Sequence, residues 1–212
     1  MSFVSRSGRT ALVAAAAFVL LALPAQASTI QIWQGAAPFA NIAAADALIG
    51  GGPATSTTVY NGLIDFDDLG DGTTGFSALN VPWPGGADTN FAAVVTGGIN
   101  AAAAGLWGFF IDHDDGVRLT VNGVQVFEFP VPTDNFLSFG SVMLNPGLNI
   151  VQIVFFENGG GASLELYGAP LPNCCSTADL LSLQTVPEPA TLILLGTGLS
   201  AVAARRRLKK RA

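Results

Sequence analysis

The stretch Asp112-His113-Asp114-Asp115-Gly116 holds the densest group of chemically capable side chains in the sequence. Three carboxylates packed this closely repel one another unless water or a cation neutralises them. Ca2+ takes roughly six to eight hard oxygen ligands, often from neighbouring Asp side chains and backbone carbonyls. Asp112, Asp114 and Asp115 are therefore candidate calcium ligands; the alternative is that these acids cap turns. His113 is the single histidine. With no second histidine and only a vicinal cysteine pair, the ligands of a zinc site are missing. A Ser-His-Asp triad would have to use His113, and no nucleophile-elbow motif accompanies it. On an alternating strand His113 points opposite to Asp112 and Asp114, which suits a satisfied or an exposed polar residue.

Other groups offer weaker chemistry. The run DFDDLGDG at residues 65–72 invites an EF-hand reading, but Leu69 and Phe76 stand where that loop needs ligands. An acidic turn is the simpler reading. Glu157 and Glu165 flank Asn158-Gly159-Gly160-Gly161; a glycosidase needs two carboxylates at set separation, yet an acidic chain supplies such pairs by chance. Among the tryptophans, Trp107 lies in an apolar run and reads as core. Trp83, in Val81-Pro82-Trp83-Pro84, reads either as an exposed loop residue able to stack on a sugar ring or as a packing residue. Cys174-Cys175 can form a vicinal disulfide, crosslink to another chain or stay as free thiols, but cannot staple the core.

The elements that must position these groups read as β-structure. Residues 28–168 are rich in Gly, Ala, Val, Thr and Phe, with short apolar runs broken by turn residues. Only residues 42–49 hint at a helix. In LWGFFIDHD, Trp107, Phe109 and Ile111 share a face. VRLTV and VQVFEF flank Asn122-Gly123, a two-residue hairpin signal. Residues 141–144, 149–156 and 162–167 are further strands, separated by Asn145-Pro146-Gly147 and by the Asn-Gly-Gly-Gly turn. Residues 57–66 and 90–96 are strand candidates upstream. Short strands at this spacing predict an all-β fold, an antiparallel β-sandwich of jelly-roll-like form.

Charge and the chain ends bound the rest. Of nine basic residues, Arg118 alone lies between Ser28 and Glu188, against all fifteen acids of the chain. Such a body repels phosphates, so nucleic-acid binding is excluded as a function class. Arg6 and Arg9 precede an apolar run at residues 11–23 and an Ala25-Gln26-Ala27 cleavage site, the pattern of a secretory signal peptide cut after Ala27. The Sec translocon and signal peptidase are the expected partners, and the mature chain meets an oxidising compartment. At the other end, residues 190–204 are apolar or small. As a helix they would span about 22 Å, short of the ~30 Å hydrocarbon core, so a transmembrane helix here is a marginal one. The basic cluster that follows predicts a cytoplasmic C-terminus.

Val186-Pro187-Glu188-Pro189, the apolar run and Arg205-Arg206-Arg207 together resemble the PEP-CTERM sorting signal of Gram-negative bacteria. That resemblance implies transient anchoring in the inner membrane and recognition by an exosortase that cuts near Pro187-Glu188-Pro189. It implies delivery to the cell surface or extracellular matrix, where such proteins accompany exopolysaccharide and biofilm formation. The body, in NFAAVVTGGI, GFFIDHDDGVRLTVNG and LNPGLNIVQIVFFENGGGASLELYG, resembles the protective-antigen-type β-sandwich found in toxins, glycosidases, adhesins and flocculins. In its flocculin branch an Asp-Asp pair joined through a cis peptide holds Ca2+, which binds sugar hydroxyls; Asp114 and Asp115 match that pair.

The resulting expectation is a signal peptide at 1–27, a β-sandwich at 28–170, a linker at 171–185 and a sorting signal at 186–212. The protein is expected to be a non-enzymatic surface or matrix component that binds exopolysaccharide or cell-surface glycans or supports adhesion. A passive matrix protein without a ligand is the structural alternative, and a carbohydrate-active hydrolase the enzymatic one. Missing nucleophile motifs and small size argue against the latter.

Overall fold

The computed structural model describes residues 27–67, 83–84, 89–184 and 186. The signal-peptide residues Arg6, Arg9 and Ala25, most of the 65–72 acidic run, and the sorting residues Pro187, Glu188, Pro189, Arg205, Arg206 and Arg207 lie outside them; Ala27 is the first described residue.

Among the described residues ten strands form two antiparallel sheets. The strands are β1 (Ser28–Gln34), β2 (Ser56–Tyr60), β3 (Asp65–Asp67), β4 (Phe91–Ala101), β5 (Gly105–Asp114), β6 (Gly116–Val121), β7 (Val124–Phe129), β8 (Phe136–Leu144), β9 (Gly147–Glu157) and β10 (Ser163–Pro170). One sheet runs β2-β1-β4-β9-β6-β7 and the other β3-β10-β5-β8. The expected sandwich is what the chain forms. Alternation explains why. Phe91, Ala93 and Val95 of β4, Ile153 and Phe155 of β9, Phe109 and Ile111 of β5, and Leu164 and Leu166 of β10 all point between the sheets and are buried. Full burial of each large side chain stabilises by roughly 1.5–3 kcal/mol.

The intervening residues of β4 and β9 are apolar as well, because the outer face of the six-stranded sheet is also covered. Helix α1 (Ile42–Gly51) lies there, closing a second cluster of Trp33, Phe39, Ile42, Ala92, Val94 and Phe156. The Asn41 side chain caps the helix by accepting the Ala44 N–H at 3.0 Å. Arg118 on β6 clamps it from below, donating to both carboxylate oxygens of Asp46 at 2.6 and 2.9 Å. Arg118, the body's one basic residue, thus holds α1, the one α-helix among the described residues. The strand expected at 57–66 is two strands, β2 and β3, in different sheets.

The segment expected to be a linker packs on the sandwich instead. Cys174 and Cys175 form a vicinal disulfide that rests against Gly108 of β5; a Cβ at Gly108 would meet the Cys174 sulfur at 3.1 Å. Further on, Leu183 is buried in the main core and Gln184 exchanges two backbone hydrogen bonds with Gly98 of β4, at 2.7 and 2.8 Å. Leucines at 181 and 183 give this segment apolar surface to bury, which a free linker would not need. Among the described residues no helix is long and apolar enough to cross a membrane.

Candidate functional site

Four connections meet at one end of the sandwich: the β5–β6 turn, the β7–β8 loop, the β9–β10 loop and the segment between β1 and α1. The β5–β6 turn contains Asp114 and Asp115, joined by a cis peptide bond, as the resemblance implied. Asp115 is buried and holds two of the loops at once. Its Oδ1 accepts the Thr133 N–H at 3.0 Å and its Oδ2 accepts the Asn158 N–H at 2.8 Å. Asn158 in turn fastens the fourth segment, accepting the Phe39 N–H at 2.5 Å and donating to the Phe39 carbonyl at 3.0 Å.

Glu157 ends β9 beside this turn. The register explains the approach: Gly116 pairs with Phe156, so the residue before Gly116 and the residue after Phe156 are neighbours across the sheet. Carboxylate oxygens of Asp114, Asp115 and Glu157 all lie within 4.8 Å of one another. Glu157 Oε1 also accepts the Gly159 N–H at 2.5 Å, which orients its carboxylate. Asp114 and Asp115 line a cleft of about 470 Å3 walled by Asp134, Pro132 and Thr133 on one side and Gly159, Gly160 and Gly161 on the other, while Glu157 is fully buried and does not line it. Gly159 and Gly160 have φ of 145° and 109°, a region that side-chain-bearing residues rarely adopt, so the wall is bare backbone.

Negative charge is disfavoured at Asp115. Burial pushes the Asp115 carboxyl above its ordinary pKa, the N–H groups of Asn158 and Thr133 pull it back, and the nearby charge of Asp134 adds to the upward shift. Three converging carboxylates offer the hard oxygen donors that Ca2+ takes, and the donor set suits no softer metal.

The structure rearranges the expected site. Asp112 does not join the cluster. It sits two residues back along β5, about 7 Å at strand rise, on the outer face of the four-stranded sheet and opposite Glu165. There it is buried in a separate acidic row with Asp65 and Glu165, where the Tyr167 hydroxyl donates to Glu165. Glu157 lies in the cluster instead; from the sequence it stood out only with Glu165, as a chance carboxylate pair. Trp83 is a second correction: it is only 4% exposed and packs against Phe66, Phe91 and Phe155, with its ring 4.8 Å from that of Phe155. The open side of a sandwich needs a large side chain to fill it, and a loop tryptophan between prolines supplies one. Trp33 is buried too, its indole N–H donating to the Gly52 carbonyl at 2.9 Å.

His113 points inward, as alternation predicts, against Phe129 and Phe136. Its Nδ1–H donates to the Asp115 carbonyl at 2.5 Å and its Nε2 accepts from the Ser138 hydroxyl at 2.9 Å. Burial lowers its pKa to about 4, so the ring is neutral at ordinary pH and buttresses the turn.

This architecture is that of the PA14 β-sandwich. The chain aligns with a PA14 sugar-binding domain from an RTX adhesin at TM-score 0.60 and 20% identity, over 76% of this chain and 99% of that one. It aligns with the PA14 domain of the MpAFP antifreeze protein at TM-score 0.61 and 16% identity, over 79% and 96%. The epithelial adhesin 9 A domain of Candida glabrata, solved with Galβ1-3GlcNAc, is similar at TM-score 0.54 and 12% identity, over 76% and 89%. At these identities the likeness is one of fold. Residues 185–207 match the PEP-CTERM protein-sorting motif, which marks an exported protein handled at the membrane. No curated protein matches the chain.

Proposed function

We propose that this is a surface or matrix protein that binds glycans at the acidic end of its sandwich, with Ca2+ held by Asp114, Asp115 and Glu157. The observation that carries the reading is the convergence of those three carboxylates, two of which, Asp114 and Asp115, line an open cleft. A divalent cation held there would supply Lewis-acidic coordination positions for sugar hydroxyls. The chain's own residues do the rest. Asp115 fixes the two walls, Asn158 fixes the neighbouring segment, and the glycine wall leaves backbone N–H and carbonyl groups open to a polar ligand. Asp134 adds a further acceptor at the rim.

The fold's sugar-binding relatives support a binding role over catalysis. Export through the Sec translocon with signal peptidase, processing by an exosortase and a destination in exopolysaccharide or biofilm matrix complete the proposal; the sorting motif supports this route. Titration calorimetry of Ca2+ into the protein tests the cation site. Heat that follows one-site binding and disappears in Asp114→Asn and Glu157→Gln supports it, and absence of binding at millimolar Ca2+ removes it.

A further inference from the structure

The disulfide between Cys174 and Cys175 takes no part in the cleft and does little to hold the fold. A disulfide stabilises by constraining the unfolded chain, and does so more for longer loops; this one joins adjacent residues. Other bonds pin the segment around it. Leu171 donates its N–H to the Leu106 carbonyl at 2.9 Å, Asn173 to the Pro170 carbonyl at 3.1 Å, and Leu181 to the Leu166 carbonyl at 2.9 Å. Ser176 gives its N–H and its hydroxyl to one Asp179 carboxylate oxygen, at 2.6 and 3.0 Å. The bridge can therefore be exchanged without loss of the structure that presents it.

Its two sulfurs have different surroundings. Cys174 is packed on β5: its Cβ and Sγ both lie 3.1 Å from where a Gly108 Cβ would stand, and a Leu171 methyl lies equally near. The Cys174 Sγ is 3.2 Å from the Gly108 carbonyl oxygen, against 3.8 Å for that of Cys175. Cys175 instead lines a small cavity of about 40 Å3 together with Phe110, Leu137, Tyr167 and Ser176; Cys174 does not line it. The register places these walls on the outer face of the four-stranded sheet. Phe110 pairs with Tyr167 and Leu137 with Asp112, while Phe109 and Ile111 turn into the core. Two aromatic rings and a leucine thus surround the approach to one sulfur only.

We propose that Cys175 is a site of covalent attachment, by thiol–disulfide exchange, for an uncharged, unbranched alkyl thiol. The incoming thiolate attacks the Cys175 sulfur from the cavity. A new S–S bond forms there as the bond to Cys174 breaks, and the electron pair leaves on the Cys174 sulfur. That sulfur takes a proton from water and, as a thiol, donates to the Gly108 carbonyl beside it. The ligand thiol is oxidised to a mixed disulfide and Cys174 is reduced, so no further oxidant is needed. Attack at Cys174 would instead press the ligand against Gly108 and Leu171. The small cavity selects against branching. Asp179 at its mouth, in a body with Arg118 as its one base, selects against an anionic thiol.

The test treats the full chain, folded and in urea, with 2-mercaptoethanol for short times. Iodoacetamide then traps the released thiol, and mass spectrometry maps both cysteines. In the folded chain the adduct on Cys175 exceeds that on Cys174 about tenfold, and in urea the two are about equal. Mercaptoacetate, of similar length but anionic, adds to the folded chain about threefold more slowly, each rate being taken relative to the unfolded chain. Equal adducts on the two sulfurs of the folded chain overturn the proposal. So do a preference for Cys174, an absence of exchange until the chain unfolds, or two free thiols in protein recovered from an oxidising compartment. Equal relative rates for the two thiols overturn the assigned ligand class.

Discussion

Asp115 and Asn158, far apart in sequence, are joined by a 2.8 Å hydrogen bond from the Asn158 N–H to the Asp115 carboxylate. The other carboxylate oxygen holds Thr133, so one side chain sets the spacing of both cleft walls. Asp115→Ala leaves two backbone donors without their acceptor, a cost of about 1–3 kcal/mol for each that stays buried. Asp115→Asn keeps one acceptor and costs less. Urea unfolding of the two variants should rank them in that order, both below the wild type.

Glu157, not Asp112, is expected to be the third cation ligand. Glu157→Gln should weaken Ca2+ binding at least about tenfold, while Asp112→Asn on the outer face leaves it within about twofold. Gln retains an oxygen that can accept the Gly159 N–H, so the loss of affinity should come without loss of fold. Calorimetric titration of both variants makes the comparison.

Protons compete with the cation at this site. Because burial raises the Asp115 pKa, its carboxylate is neutralised at a higher pH than an ordinary aspartate. Ca2+ affinity should therefore begin to fall, on acidification, above the usual carboxylate range. An affinity that stays flat down to pH 4 would contradict the assignment.

His113 gives a cleaner pH signal, because the chain has no other histidine. Its folded pKa of about 4 lies below its unfolded value near 6.5. Between those values the unfolded chain binds the extra proton, so the His113 contribution to stability is full above pH 6.5 and is lost as pH falls towards 4. The lost contribution is on the order of 3 kcal/mol. NMR titration should show no imidazole transition between pH 5 and 8, and His113→Gln should flatten this part of the stability profile.

Much of the fold was legible because it rests on local patterns. Alternation in LWGFFIDHD put Trp107, Phe109 and Ile111 on one face, with His113 opposite Asp112 and Asp114, and Asn122-Gly123 marked its hairpin through two positive φ values, 51° and 79°. What could not be read was set by pairing between distant strands. Glu157 joins Asp114 and Asp115 only because β9 lies beside β6, and no local signal gives that register. The same holds for Trp83, whose loop setting suggested exposure until the sandwich showed a gap to fill. The helix at 42–51 gave a faint signal because its residues, Ile-Ala-Ala-Ala-Asp-Ala-Leu-Ile-Gly-Gly, are apolar or small on nearly every face, so no clean helical period shows.

Arg118 tests how far α1 depends on one ion pair. The pair is partly exposed, so Arg118→Met should cost no more than about 1 kcal/mol in global stability. The local effect should be larger: amides of residues 42–51 should exchange faster, since the helix loses its charged tether to β6.

The central claim is cation-dependent glycan recognition at the Asp114–Asp115–Glu157 cleft. The most direct measurement is retention of the folded protein on a glycan array in millimolar Ca2+, repeated in chelator and with Asp114→Asn. The expected result is retention on a subset of glycans that vanishes in chelator and in the variant. Retention unchanged by chelator, or no retention on any glycan by a folded, Ca2+-loaded protein, would contradict it.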